Sequence, residues 1–252
     1  MQESNANQDL SIFSRPDGPA RELVVARYRE DISWVDRIPA DFHATVYNKS
    51  RDDCPLVRPH TQGRLANRGR EAHTMLWHIV AHYDRLADYT YFCQGDALFH
   101  APDFLERLAV SYCDLFPLSR TYSSMYPSPE IHASDWVCQY GGFEYRLGDA
   151  VADHGSKGTS WINPATWDYV FACPPPSEIY FAYAAMLVVP RQNITGRPRA
   201  FWGWLFQEAD RMQWEKDLWL DPPLTPWQME AIWMYLFQPN VYPHRTDGGR
   251  SG

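Results

Sequence analysis

The chain has 252 residues, of which 45% are apolar, 21% charged and 15% aromatic; these are globular proportions that exclude collagen-like, coiled-coil and wholly disordered chains. That length allows one large domain or two small ones, and one domain of this size folds without disulfides or a structural metal. The net charge is −8, with 23 basic against 31 acidic residues, so no broad nucleic-acid surface is expected, since phosphate binding needs clustered Lys and Arg.

Only three of the basic residues are Lys; the other 20 are Arg, the side chain suited to planar, bidentate contact with carboxylate or phosphate. The five Cys are widely spaced without a C-x-x-C, which argues against a disulfide framework or zinc knuckle. No run approaches the ~18 apolar residues of a membrane span. The N-terminus lacks a basic-then-apolar signal pattern, so a cytoplasmic location is the default expectation.

In chain order, residues 1–20 are polar, end in Pro-Asp-Gly-Pro, and are expected to form a disordered tail. Leu23 to Tyr28 is a β-rich run, the first strand. Glu30-Asp31 before Ile32 and Trp34 reads as a helix start. Phe42 to Tyr47 alternates and makes a second strand. Residues 50–66, with Pro55 and Pro59, read as a loop. Glu71 to Tyr83 is helical, with Met75, Leu76, Ile79, Val80 and Tyr83 on one face. Tyr89 to Cys93 is a third strand, ended by Gln94-Gly95-Asp96. Residues 102–112 form a helix, with Pro102 near its first position and Asp103 and Glu106 in its first turns.

Residues 117–180 are irregular and rich in Tyr, Ser, Gly and Pro. Phe181 to Val189 is apolar, a buried strand or a helix start, and periodicity does not decide which. Residues 198–219 have helical spacing. Thr225 as N-cap and Pro226 at the first position open a last helix running to Phe237. Residues 241–252 are expected to be a second disordered tail.

Strands alternating with helices predict a single α/β domain over residues 21–240, a mostly parallel sheet flanked by helices. Ligands of such sheets sit beyond the carboxyl ends of the strands. Here those ends are Tyr28, Asn48-Lys49 and Gln94-Gly95-Asp96, all polar.

Neither a Gly-rich phosphate loop, nor G-x-S-x-G, nor H-E-x-x-H occurs. His78 and His82 stand four residues apart and suit a metal on one helix face, but with His73 they read better as solvent-facing or helix-terminal. Asn67-Arg68-Gly69-Arg70-Glu71 leads into a helix N-terminus, where free N–H groups and Arg68 or Arg70 suit an anion; an ordinary helix start with Glu71 at the dipole fits equally. Asp96, four residues before His100, suits a divalent cation bridging diphosphate oxygens, or simply a turn. Glu230 is an acid among large apolar neighbours, where burial would raise its pKa and suit it to proton abstraction; a solvated position is the plainer reading. Trp202, Trp204, Trp214, Trp219, Trp227 and Trp233 crowd the C-terminal third, most of them expected in the core.

The ordered segments VVARYREDISWV, VYNKS, LANRGREAHTMLWHIVAHYDRLADYTYFCQGD, YAAMLVVPR and MEAIWMYLF resemble a family of uncharacterised bacterial and fungal proteins that look related to GT-A-type glycosyltransferases. The resemblance covers about residues 22–238, and NRGREAH and FCQGD in 65–96 are its specific piece. More distantly, Ala184 to Arg191 and Glu230-Ala231-Ile232-Trp233 are similar to segments of the branching N-acetylglucosaminyltransferases. Met229 and Pro190 stand where that pattern has Asp and Ser.

The resemblance implies a GT-A-like, Rossmann-like fold that moves a sugar from a nucleotide-sugar donor to a glycan or other hydroxyl acceptor, with inversion. Glu230 would be the base, with Asp96 beside it at the reacting centre. Tyr28, Asn48, Lys49, Asn67, Arg70, Gln94 and Arg191 would hold the donor. Mn2+ or Mg2+ at Asp96 stays open, because no Asp-x-Asp pair is present. The rivals are a non-catalytic carbohydrate- or nucleotide-binding protein on the same scaffold and a metal hydrolase using His78, His82 and Asp96.

Overall fold

The structure, a computed structural model, describes residues 20–245 apart from 55, 57, 59, 120, 126–136, 141–142, 147–163, 177, 212–223 and 225. In chain order the elements are β1 (Arg21–Arg27), a 3-10 turn at Ser33–Arg37, β2 (Phe42–Asn48), β3 (Thr61–Arg64), α1 (Arg70–His82), β4 (Tyr89–Gln94), α2 (Ala97–His100) and α3 (Phe104–Ala109). Then come β5 (Phe116–Pro117), β6 (Thr121–Met125), β7 (Val137–Tyr140), β8 (Phe143–Arg146), α4 (Pro164–Val170) and β9 (Glu178–Ala182). A 3-10 turn at Tyr183–Ala185, β10 (Leu187–Pro190), α5 (Arg191–Thr195), α6 (Arg199–Arg211) and α7 (Pro226–Leu236) complete the chain. This is a single α/β domain, loosely Rossmann-like, with helices flanking a mixed sheet.

The main sheet has the order β3-β2-β1-β4-β10-β5. β1 pairs in parallel with β2 and β4, and β2 with β3. β10 runs antiparallel to β4 and β5. The expected mostly parallel sheet is therefore confined to β1–β4. A second sheet, β8-β7-β6-β9, is antiparallel throughout and occupies the stretch that reads as irregular. Its short strands lack the long alternation that marks a strand in sequence. β3, in the predicted loop, is a four-residue edge strand, Thr-Gln-Gly-Arg, with no apolar pattern to announce it.

Both faces of the main sheet are covered, so its strands carry apolar residues in both directions. Val24, Phe92, Leu187 and Val189 face a layer that includes Leu76 of α1, Trp202 of α6 and Trp233 of α7. Leu23, Val25, Val46 and Val188 face Trp34, Phe104 and Leu108 on the other side. α7 is apolar nearly all round because it lies inside the first layer. Trp202 and Trp233 are core, as expected, and Trp204 is half-buried. Trp214, Trp219, Thr225 and the Trp227 side chain lie outside the described residues, as does nearly all of the predicted N-terminal tail. The expected C-terminal tail begins too early: Ala172 N donates to Pro243 O at 2.8 Å and Arg245 N to Val170 O at 3.1 Å, which fastens 243–245 to α4.

Two of the three histidines of α1 also depart from expectation, while His82 ends the helix as expected. His73 and His78 are buried, because α1 is sandwiched between the sheet and α6, where His73 packs 4.9 Å from the Phe206 ring. Beneath α1, His78 Nε2 lies 3.5 Å from Glu22 Oε2 of β1, and Thr45 Oγ1 donates to Glu22 Oε1 at 2.7 Å. The Tyr47 hydroxyl links His78 Nδ1, at 3.1 Å, to His82 Nε2, at 3.3 Å. A chain Glu22–His78–Tyr47–His82 thus ties α1 to β1 and β2. Burial alone would push the Glu22 carboxyl up, but the charge and hydrogen bonding of His78, the Thr45 hydroxyl and His82 together hold it down at about 2. Burial, helped by His78, takes His82 down to about 4.

The left-handed Gly69, φ +53°, precedes α1, and a Cβ there would meet Ala209 O at 2.7 Å. Gly69→Ala is expected to cost roughly 2–3 kcal/mol, the scale of a strained backbone position; an unchanged thermal midpoint would contradict this packing. Glu22→Gln should cost roughly 3 kcal/mol or more at neutral pH, because it strands His78. Since Glu22 is depressed in the folded state, its contribution is present above about 4.5 and lost as pH falls toward 2. The gap in thermal midpoint between the two proteins should therefore narrow over that window, and equal midpoints at pH 7 would remove Glu22 from the anchor.

Candidate functional site

β1 leads to β2 on one side and β4 lies on the other, so the chain changes winding direction between β1 and β4. In open α/β sheets the crevice outside the strand carboxyl ends at such a point is the binding place. Gly95 N donates to Ala26 O at 2.9 Å and Lys49 N to Arg27 O at 2.8 Å, which brings the three strand ends together. No side chain fits at Gly95 without displacing the Glu30 carboxylate, 2.7 Å from where a Cβ would sit. Glu30 in turn accepts from Tyr28 N at 2.6 Å.

Lys49 is buried, and its ammonium donates to the carbonyls of Arg68, at 2.6 Å, and Arg70. Both carbonyls belong to the turn that starts α1, where Gly69 and Arg70 are both left-handed. The turn aims Arg70 and Glu71 at the strand ends, and Arg70 Nε lies 3.5 Å from Glu71 Oε2. Burial lowers Lys49 to about 8; Glu71 opposes the shift and Arg70 adds to it.

Glu230 comes from the middle of α7 and is only 2% exposed. Its Oε1 accepts from Ala184 N at 2.7 Å. Ala184 and Ala185 are left-handed, φ +60° and +51°, a conformation that costs an L-residue roughly 1–2 kcal/mol. Such strain persists where surrounding structure imposes it, and it clusters at functional sites. Gln94 Nε2 donates to Ala184 O at 3.1 Å, so the peptide units at Ala184 bridge the β4 end and Glu230. Burial first, then the nearby Glu71 carboxylate, push the Glu230 carboxyl up to about 8, against Arg70 and the Ala184 N–H.

Asp96 Oδ2 lies 3.3 Å from His100 Nε2. That contact first, and Arg70 more distantly, hold Asp96 below the usual carboxylate range. Its Oδ1, like Glu71 Oε1, is buried and accepts no hydrogen bond among the described residues. Two such acceptors in one crevice suit a ligand that brings hydroxyl groups. Glu71 is thus a candidate site residue that the sequence shows only as a helix-dipole partner; the left-handed backbone at Gly69 and Arg70 that sets its direction is not legible from residue types.

Lys49, Arg70, Gln94, Asp96 and Glu230 are therefore gathered at one place. Tyr28 stands at the rim, part-exposed, with the Arg29 guanidinium 5.0 Å from its ring. Asn67 is exposed in the turn before α1. Asn48 is spent on structure: Oδ1 accepts from Arg27 Nη1 at 3.0 Å and from Ser50, and Nδ2 donates to Asp52 O at 2.7 Å. Arg191 is at the wrong end of the sheet. β10 is antiparallel, so its last residue sits beside Tyr89 at the start of β4, and Arg191 Nη2 meets Asp88 at 2.9 Å.

Among the described residues no three or more His, Cys, Asp or Glu are grouped to hold a metal. His78 and His82 point under α1 to Tyr47, while Asp96 pairs with His100 across the carboxyl edge, so the trio suggested for a metal hydrolase is not brought together. Asp96 Oδ1 offers one ligand atom, and Mg2+-type sites with so few carboxylates take the rest from water and phosphate. Among the described residues no helix is long and apolar enough to cross a membrane.

No curated protein and no solved structure matches this chain. One family model, described as Protein of unknown function (DUF3431), matches residues 23–247, and the chain belongs to that family.

Proposed function

We propose that this domain is a GT-A-like glycosyltransferase that moves a sugar from a nucleotide-sugar donor to a hydroxyl acceptor, with inversion and with Glu230 as base. The observation that carries the reading is a buried carboxyl, Glu230, held by a strained backbone N–H at the carboxyl edge of parallel strands. Arg70 is the cation placed to meet a diphosphate, and Lys49 holds its turn in shape. Asp96 and Glu71 carry the acceptor oxygens for sugar hydroxyls or, at Asp96, for Mn2+ or Mg2+. Tyr28 at the rim suits stacking on a base.

In this reading the acceptor oxygen attacks the anomeric carbon, the bond to the nucleotide diphosphate breaks, and Glu230 takes the acceptor proton. The base must first be ionised, and a base poised near the working pH is the efficient one. The near-complete burial of Glu230 favours a second reading, a carbohydrate- or nucleotide-binding protein that turns nothing over.

A panel of nucleotide sugars, with and without Mn2+ or Mg2+, separates the two. One donor should raise the thermal midpoint and be slowly hydrolysed. Stabilisation without hydrolysis or transfer would leave the binding protein, and silence across the panel would remove the donor class altogether. Glu230→Gln should lower transfer by about 100-fold or more, the usual weight of a general base, with donor stabilisation retained. Turnover should peak near pH 8, rising below it as Glu230 ionises and falling above it as Lys49 loses its charge. A rate flat from pH 6 to 9 sinks Glu230 as base.

Stability should move the opposite way. The Glu230 pKa is raised in the folded state, so its contribution is present below about 4.5 and lost as pH rises through about 8. Glu230→Gln should match the parent near pH 5 and outlast it at pH 9 in thermal unfolding.

A further inference from the structure

A second concavity lies away from the strand ends, at the far end of α7 from the turn where it starts. It has a volume of about 750 Å3, and Asp168, Phe171, Pro174, Pro175, His244 and Arg245 are among its lining residues. Its walls are fastened together. Phe171 and His244 form a β-bridge, Arg245 N donates to Val170 O, and the His244 ring packs 4.5 Å from Phe201.

The charge around this cavity is not balanced. Among the described residues Arg245 Nε is buried without a hydrogen bond, and none of their carboxylates forms an ion pair with its guanidinium. Asp168, in the same lining, is exposed and likewise pairs with no cation among the described residues. Behind the wall sits Arg197, wholly buried, 5.7 Å from the Phe171 ring. Its guanidinium donates to Leu236 O at 2.6 Å, Tyr235 O at 3.2 Å and Tyr242 O at 2.6 Å. Two of those carbonyls end α7, so a helix C-terminus, the negative end of the dipole, stands in for a carboxylate. That engages Nε and Nη2 of Arg197, while its Nη1 makes no hydrogen bond among the described residues; Arg245 has no such helix end against it.

An unpaired guanidinium in a partly desolvated wall is costly, and an anion is what relieves it. Phe171, Pro174 and Pro175 beside it offer apolar surface to whatever carries that anion. We propose that this cavity is a second ligand site, taking a small organic anion whose carboxylate or phosphate meets Arg245 while its apolar body lies on Phe171 and the two prolines. Asp168 opposes the ligand charge and keeps the affinity modest. Cys173 is also in the lining, and burial pushes its thiol up. The site is independent of the transferase reading and stands or falls without it.

The test is calorimetric titration of the full chain with phenyl phosphate, benzoate and inorganic phosphate at constant ionic strength. Saturable binding of the two aromatic anions is expected, with inorganic phosphate weaker. Arg245→Gln should weaken them at least tenfold, and Asp168→Asn should tighten them severalfold. A folding defect does not produce both signs. If Arg245→Gln fails to fold, Asp168→Asn decides alone: tighter binding supports the site, and unchanged or weaker binding overturns it. Absence of saturable binding also overturns it. So does binding that Arg245→Gln leaves intact, because the anion is then held elsewhere, at Lys49 and Arg70 in the first crevice.

Discussion

The buried ammonium of Lys49 ties three elements together, and the geometry of the site follows from it. Its backbone N–H continues the pairing of β2 with β1, and its side chain donates to the carbonyls at 68 and 70. A buried ammonium is costly unless its donors are used, and a pair of carbonyls facing one point is what a left-handed turn provides. The turn at Gly69 and Arg70 and the charge of Lys49 therefore specify each other. Remove either, and α1 no longer begins where the charges of Arg70 and Glu71 act on Glu230.

The same helix is anchored again two turns further on. Glu22 and His78, with Tyr47 and His82, form a polar chain in an otherwise apolar layer. Hydrophobic contact alone would let α1 slide or rotate at small cost, because burial is non-directional. A directional polar chain under the helix, with His78 between Glu22 and the Tyr47 hydroxyl, admits one register. Both anchors draw on the ends or the body of β1 and β2, so the strands that form the crevice also fix the helix that completes it. This is the arrangement in which a site is held stiff by its supports.

Local pattern made much of this legible. β1, β2, β4 and the apolar face of α1 show their periods, and the polar residues just past each strand mark the carboxyl edge. Glu230 stands out as an acid among Met229, Ile232 and Trp233. What local pattern does not carry is partnership across long separations. His78 looks like a surface histidine until Glu22 is folded beneath it. Arg191 looks like a residue at a strand's carboxyl end, and it is one, but β10 runs backwards and carries it to the opposite edge. Asn48 is at the right edge and is consumed by Arg27 and Asp52. The second sheet is invisible for a related reason: its strands are four or five residues long and find their order only through pairing.

Glu230 poses the sharpest physical question. If its task were only to accept the Ala184 N–H, a glutamine would serve equally, with no ionisation to disturb the core as pH rises. The carboxyl instead brings a titration into a layer of large apolar side chains, next to Glu71, which resists its ionisation. Arg70 is the cation set against Glu71 in this balance. An anionic donor that engages Arg70 weakens that help and holds the proton on Glu230 more firmly. The proposed chemistry therefore favours an order in which the acceptor hydroxyl arrives within reach of Glu230 before Arg70 is fully committed to the diphosphate, or one in which a cation at Asp96 shares the diphosphate charge.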